Sequence, residues 1–226
     1  HGYMKIPELK KVCHAYGVSI NEYLVAVYVW SVYTECMHGM PSERPVRVAV
    51  PVNLRPYFNS ITTKNFFVMV SAEFHPTKEI YTFEEVLKSV SESLRSQISR
   101  ENLEKLFSYN VSNEKLLAAR IVPLFLKNLA MRYVYTTSAL ANTATVTNIG
   151  NISVSEEYRP YVEMFHAFLA MSKGQHLKGT ICSYGDTLVF SFSYDLTDTS
   201  VQRGFFRKIA ADGIAVEIET NGVNYE

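Results

Sequence analysis

The chain has 226 residues, a formal net charge of zero and 47% hydrophobic residues, with 13 Phe and 15 Tyr. That length suits one α/β domain with a well-filled interior, spanning 1–226, and the aromatic content argues against disorder. With no Lys/Arg run, nothing points to nucleic acid or an anionic membrane as partner, and a neutral or amphipathic ligand fits better.

Cys13, Cys36 and Cys182 are scattered, without CxxC spacing. They read as reduced thiols of a cytoplasmic protein, with no disulfide framework and no metal site. The opening His-Gly-Tyr-Met-Lys has neither a secretory leader nor an initiator Met, which reads as a fragment whose upstream part was removed. No apolar run reaches the roughly 20 residues that span a bilayer. Leu116 to Val134 comes nearest and is interrupted by Arg120, Pro123, Lys127 and Arg132, so it reads as an amphipathic helix for core or interface packing.

In chain order, Ile6 to Tyr16 has helical spacing and ends at Gly17. Ser19-Ile20-Asn21-Glu22 matches a capping box, and the helix that follows, Tyr23 to Met37, is apolar on most sides and therefore buried. Val46 to Val52 reads as a strand running into Asn53-Leu54-Arg55-Pro56, and Phe66 to Phe74 as a second. Thr82 with Glu85 caps a helix to about Ile98, a further helical stretch lies near Asn102 to Tyr109, and Pro123 should kink or break the amphipathic segment that begins at Asn113.

The remainder is strand-rich. Thr143 to Thr147, Val162 to Ala170, Thr180 to Ser183 and Leu188 to Tyr194 read as strands, with a hairpin turn at Tyr184-Gly185-Asp186-Thr187. Asp198 or Thr199 caps a helix through Ala211, Asp212-Gly213 ends it, and Ala215 to Glu219 makes a short edge strand. The product is an α+β fold: a two-layer α/β sandwich with a mixed β-sheet covered by helices.

Two stretches carry candidate chemistry. Thr143-Ala144-Thr145-Val146-Thr147-Asn148-Ile149-Gly150 is a strand of small polar and β-branched residues ending at a glycine, where the backbone can turn and approach a ligand. It reads either as a place to hold an anion or as a polar strand end whose threonines bond locally. Asn53 and Arg55 leave a strand between Pro51 and Pro56, and Arg55 reads either as a clamp for a carboxylate or phosphate or as an ion pair bracing its loop. None of the six histidines sits in HxxxD or HExxH, none pairs with another at metal-ligand spacing on one element, and His14, His38, His75 and His166 each read as structural. There is no GxSxG, Walker or GxGxxG motif.

Val50-Pro51-Val52-Asn53-Leu54-Arg55-Pro56-Tyr57-Phe58, with Asn65-Phe66-Phe67, resembles the C-terminal half of alcohol acetyltransferases in the CoA-dependent acyltransferase superfamily, which includes chloramphenicol acetyltransferase and condensation domains. The likeness runs from about Ile6 to Asn221. It implies transfer of an acyl group from acyl-CoA, such as acetyl-CoA, to a hydroxyl acceptor, with the histidine of an HxxxD motif as general base and a donor for the carbonyl oxygen.

Thr145-Val146-Thr147-Asn148-Ile149-Gly150 looks like the family's Thr-Ile-Ser-Asn-Leu-Gly strand, which implies an oxyanion role for Thr147, with Asn148 beside it. Asn53, Arg55 and Asn65 take positions near the channel for substrate and CoA. Tyr194-Asp195-Leu196-Thr197-Asp198-Thr199-Ser200 looks like the histidine motif, but Leu196 stands where the histidine belongs. The resemblance therefore implies a C-terminal half that needs its own N-terminal half for the base. An exposed inter-half face, through which the fragment also dimerises, goes with it. The alternative is a non-catalytic, condensation-like binding or assembly module.

Overall fold

The computed structural model describes residues 1–115 and 122–221. Its helix ends follow from short-range hydrogen bonds. Helix α1 (Ile6–Tyr16) stops at Gly17, whose φ of 68° is left-handed and which a side chain would strain. Helix α2 (Ile20–Ser31) starts at a complete capping box: Glu22 N–H donates to Ser19 Oγ at 3.2 Å, and Ser19 N–H donates to Glu22 Oε2 at 2.7 Å. Every residue from Tyr23 to Val29 is buried, as an all-round apolar helix requires. A π-helical turn at Val32–Cys36 continues it.

Strand β1 (Gly2–Lys5) precedes α1, and strand β2 (Val46–Asn53), the short helix α3 (Arg55–Phe58) and strand β3 (Phe67–Phe74) follow α2. Helix α4 (Phe83–Gln97) has the second capping box, Thr82 with Glu85, and leads to α5 (Arg100–Lys115). Of the amphipathic segment read over 116–134, residues 116–121 lie outside the described ones. Helix α6 (Leu124–Leu140) begins directly after Pro123, whose carbonyl accepts from Leu126 and Lys127 N–H at 3.1 and 3.2 Å. Among its described side chains it buries no stripe: Leu124, Phe125, Leu129, Met131, Tyr133 and Val134 are all exposed. Strands β4 (Ala144–Asn151), β5 (Leu177–Tyr184) and β6 (Thr187–Tyr194), helix α7 (Ser200–Ala211) and strand β7 (Val216–Ile218) complete the chain. No helix of the described residues is long and apolar enough to cross a membrane.

The strands form one mixed sheet in the order β3-β2-β4-β5-β6-β1-β7. Strands β2 and β3 pair antiparallel along their whole length, from Val46↔Phe74 to Asn53↔Phe67, and β5 and β6 form the expected hairpin around Gly185. Strand β4 runs parallel to both β2 and β5. Helix α2 packs between α4, which lies on β3, and α7. The side chains of Leu9, Tyr23, Val146, Phe190 and Phe205 share one core on this helical side.

At the outer edge of β3, side chains of α4 take the place of a neighbouring strand. Ser71 N–H donates to Gln97 Oε1 and Glu73 N–H to Ser93 Oγ, both at 3.1 Å, while Gln97 Nε2 and Ser93 Oγ donate to Ser71 O at 2.7 and 3.1 Å.

Two expectations are corrected. Strand β1 has no counterpart in the sequence reading, because a four-residue strand carries too little alternation to register. Val162 to Ala170 is not a strand. It crosses the sheet face away from the helices, where its carbonyls are taken by side chains: Lys178 Nζ donates to Ala170 O at 2.8 Å and Cys182 Sγ to Phe165 O at 3.2 Å.

Arg95 ties α4 to the start of α2, donating from Nε to Glu22 Oε1 at 2.5 Å and from Nη2 to Gly17 O at 3.0 Å. The Glu22 side chain is only 11% exposed. Burial opposes its charge, but Arg95 and the Ser19 bonds outweigh burial and hold the carboxyl below its ordinary value. A carboxylate with a lowered folded pKa stabilises above its unfolded value of about 4.3, and this contribution is lost as pH falls through the folded pKa. Glu22→Gln keeps the cap but removes the charge. It should lower urea-measured stability by about 1 kcal/mol at neutral pH, and the gap to the parent should close below about pH 4. A gap that does not change with pH would remove this ion pair from the account.

Candidate functional site

Three parallel strands, β2, β4 and β5, point their carboxyl ends the same way. The β2–β4 ladder covers only Val48↔Ala144 and Ala49↔Thr145, whereas β4 stays paired with β5 to Asn151↔Ser183. Beyond Ala49 and Thr145 the ends of β2 and β4 are therefore unpaired with each other, at the side of a parallel array where ligands enter. Asn53 closes β2 here, and Thr147 to Gly150 end β4.

Period-two alternation decides where the β4 side chains go. Ala144 and Val146 are buried in the helical core, which puts Thr145 and Thr147 on the opposite face. Thr147 is half-buried, and its hydroxyl has no hydrogen-bond partner among the described residues. Asn148 points the other way and is exposed: its Nδ2 donates to Asn21 Oδ1, at the start of α2, at 3.4 Å, and its Oδ1 accepts from Gly150 N–H at 2.8 Å. The pairing with β5 shifts between Asn148 and Gly150, and Gly150 adopts a φ of 85°. Thr147 and Asn148 thus share the strand end but not a face.

Thr147 opens a row of hydroxyls. Its register partner on β5 is Thr180, and the partner of Thr180 on β6 is Ser191. Thr180 and Ser191 are 2% and 1% exposed, and neither hydroxyl has a partner among the described residues. Lys178 and Cys182, on the same face of β5, bond Ala170 O and Phe165 O, so the crossing segment runs over Thr180. Burial pushes the Cys182 thiol above its ordinary pKa, which leaves it a poor nucleophile.

Arg55 is engaged with its own loop. Nε donates to Thr62 O at 3.0 Å, Nη2 to Lys64 O at 2.7 Å and Nη1 to Asn53 Oδ1 at 3.3 Å. Asn53 Oδ1 also accepts from Arg55 N–H at 3.1 Å. The structure thus joins Asn53 and Arg55 in one hydrogen-bonded loop, with Asn65 exposed at its far end. Leu196 lies beyond β6, 45% exposed, in the wall of a cavity of about 880 Å³ with Phe168, Met171, Gln202 and Phe206. The neighbouring Asp195 carboxylate receives His176 Nδ1 at 3.0 Å.

A second constellation escaped the sequence reading. His1, Tyr3, His166 and Glu219 converge at the β1–β7 side of the sheet: His1 Nε2 is 3.1 Å from Glu219 Oε2, His166 Nε2 is 2.9 Å from the Tyr3 hydroxyl, and Tyr3 donates to Glu219. Burial, reinforced by Glu219, raises the Tyr3 phenol to about 12. No local spacing signals such a group, because its members come from opposite ends of the chain and from the crossing segment.

No family model matches the chain, and no curated protein matches it. Solved structures do. A nonribosomal peptide synthetase, FmoA3 (S1046A), superposes with a TM-score of 0.60 at 16% identity, over 93% of this chain and 21% of that one. The epimerization domain from the third module of tyrocidine synthetase B gives 0.57 at 11% identity, over 94% and 47%. Polyketide synthase associated protein 5 from Mycobacterium tuberculosis gives 0.57 at 9% identity, over 93% and 51%. The chain spans about half the length of these solved chains or less. At these identities the likeness is one of fold: the chain shares with these solved structures an α+β sandwich in which helices cover a mixed sheet.

The Arg55 brace has a direct readout. Loss of three neutral-acceptor hydrogen bonds in Arg55→Ala should speed amide hydrogen exchange across residues 59–66 by about 10-fold, with exchange in β5 and β6 unchanged. Unaltered exchange in the loop would show that Arg55 does not brace it.

Proposed function

We propose that this chain is the C-terminal half of a CoA-dependent O-acyltransferase that moves an acyl group, acetyl in the simplest case, from acyl-CoA to an alcohol. The observation that carries the reading is the Thr147 hydroxyl: half-buried and without a partner among the described residues, at the open carboxyl end of β4, in the strand whose sequence resembles the family's oxyanion strand. Fold likeness alone does not establish chemistry, so the weight rests on this residue and its motif.

In this reading the Thr147 hydroxyl donates a hydrogen bond to the thioester carbonyl oxygen as negative charge develops there during attack by the alcohol. A pre-set donor without a competing protein partner needs no rearrangement to do so. Asn148, anchored to Asn21 and Gly150, holds the strand end, while the Asn53–Arg55 loop and Asn65 form wall around the channel. The proton of the attacking alcohol goes to a histidine of the N-terminal half, because Leu196 cannot accept it, and passes from there to the CoA sulfur as the thioester C–S bond breaks and CoA leaves as the free thiol. Helix α6 gives that half an apolar face to cover, with Leu124, Phe125, Leu129 and Met131 all in solvent.

One observation favours a second reading. The cavity beside Leu196, where the family would place its base, sets Phe168, Met171, Phe206 and Ile218 beside Asp195, Arg203 and Glu219, a mixed lining that suits a non-catalytic module binding an amphipathic molecule. An HxxxD motif in the partner half decides for the enzyme, and its absence for the binding module.

In the complete two-half protein, Thr147→Val should lower kcat about 100- to 1,000-fold with little change in the KM for alcohol, the usual effect of losing one oxyanion donor. Thr147→Ser, which keeps the hydroxyl, should retain most of the rate. Equal rates for Thr147→Val and the parent would take Thr147 out of the mechanism.

A further inference from the structure

The His1, His166 and Glu219 side chains each offer a ligand atom, and the three atoms lie within 4.8 Å of one another. They come from three separate stretches: the lead-in to β1, the crossing segment and the residue after β7. The His1 and His166 rings stand 4.6 Å apart at an interplanar angle of 31°, and Phe168 meets His1 edge-on at 5.9 Å. His1 is the most enclosed of the three, its side chain 19% exposed. A cavity of about 590 Å³, lined by Tyr3, Glu163, His166 and Glu219, opens beside the group and leaves room for water or a small ligand.

Two imidazoles and one carboxylate are a donor set with a clear preference. Calcium and magnesium seek oxygen cages, whereas two nitrogens and one oxygen suit zinc and its neighbours, with a fourth position left to solvent. The hydrogen bonds present allow the exchange. A neutral imidazole has one N–H, so when Nε2 of His1 and of His166 face a cation, the proton moves to Nδ1 and the net charge of each ring stays zero. Tyr3, already bonded to His166 and Glu219, then acts on the ligands from outside.

We propose that His1, His166 and Glu219 form a binding site for a zinc-class divalent cation, with an open coordination position facing the adjacent cavity. Bound there, the cation ties the crossing segment to β1 and to the chain just after β7. The site is separate from the Thr147 strand end and independent of the acyl-transfer reading.

The test uses the 226-residue chain without added histidines, stripped with a chelator and titrated with Zn2+ alone by calorimetry. One equivalent should bind with micromolar or tighter affinity, and saturation should raise Tm by several degrees, because the cation binds the folded state. Co2+ in place of Zn2+ should give the visible absorption of a low-symmetry four- or five-coordinate site. His166→Ala and Glu219→Gln should each weaken binding by at least about 10-fold, and His176→Ala, at the Asp195 pair, should leave it unchanged. Both His166 and Glu219 are exposed, so their variants should keep the parent circular dichroism. Absence of saturable binding would overturn the proposal. So would full affinity in His166→Ala, which would take the crossing segment out of the site.

Discussion

A short seam joins the halves of this sheet. The β2–β3 pair meets the remaining strands through the register pairs Val48↔Ala144 and Ala49↔Thr145, extended at one end by Thr143 N–H donating to Arg47 O at 2.8 Å and Arg47 N–H donating to Thr143 Oγ1 at 3.2 Å. Helix α2 reinforces it. The helix is buried from Tyr23 to Val29 and packed between α4, over the β2–β3 pair, and α7, over the other strands, so it clamps both blocks from one side. The brevity of that ladder is also what frees the end of β4 from β2. The architecture therefore obtains an open strand end from a deficit of backbone pairing and restores cohesion through apolar packing, which has no directional demand.

The row Thr147, Thr180, Ser191 gives that strand end an unusual lining. Burying a hydroxyl without a partner is unfavourable, and the chain does so twice side by side. Such groups lie in a low-dielectric setting where a donor interacts strongly with charge. The Lys178 and Cys182 tethers hold the crossing segment down over the row, which limits solvent to the Thr147 end.

Local features were legible. Both capping boxes are i to i+3 patterns and appear at Ser19/Glu22 and Thr82/Glu85 as read, Gly17 and Gly185 take the left-handed turns assigned to them, and the strand starting near Val46 runs as far as Asn53. Long-range features were not. Alternation over Val162 to Ala170 looks like a strand because the segment does lie on a sheet face, but periodicity cannot tell a ladder from side-chain tethers. The exposure of α6 depends on what packs against it, which composition does not contain. At the candidate site, the role of Arg55 was open between clamp and brace, and its bonds to Thr62 and Lys64 lie within ten residues; the convergence of His1, His166 and Glu219 depends on the position of β1 between β6 and β7.

The row of Ser89, Ser93 and Gln97 along α4 has a consequence for self-association. An outermost strand normally displays unpaired amides and carbonyls that can template a foreign strand, and β3 adds exposed Phe67 and Met69 to that hazard. Here helix side chains occupy the Ser71 and Glu73 backbone groups, including Ser89 Oγ donating to Glu73 O at 3.3 Å. The middle of this border is chemically saturated, so sheet-to-sheet polymerisation of neighbouring molecules finds no continuous ribbon of free amides along which to grow.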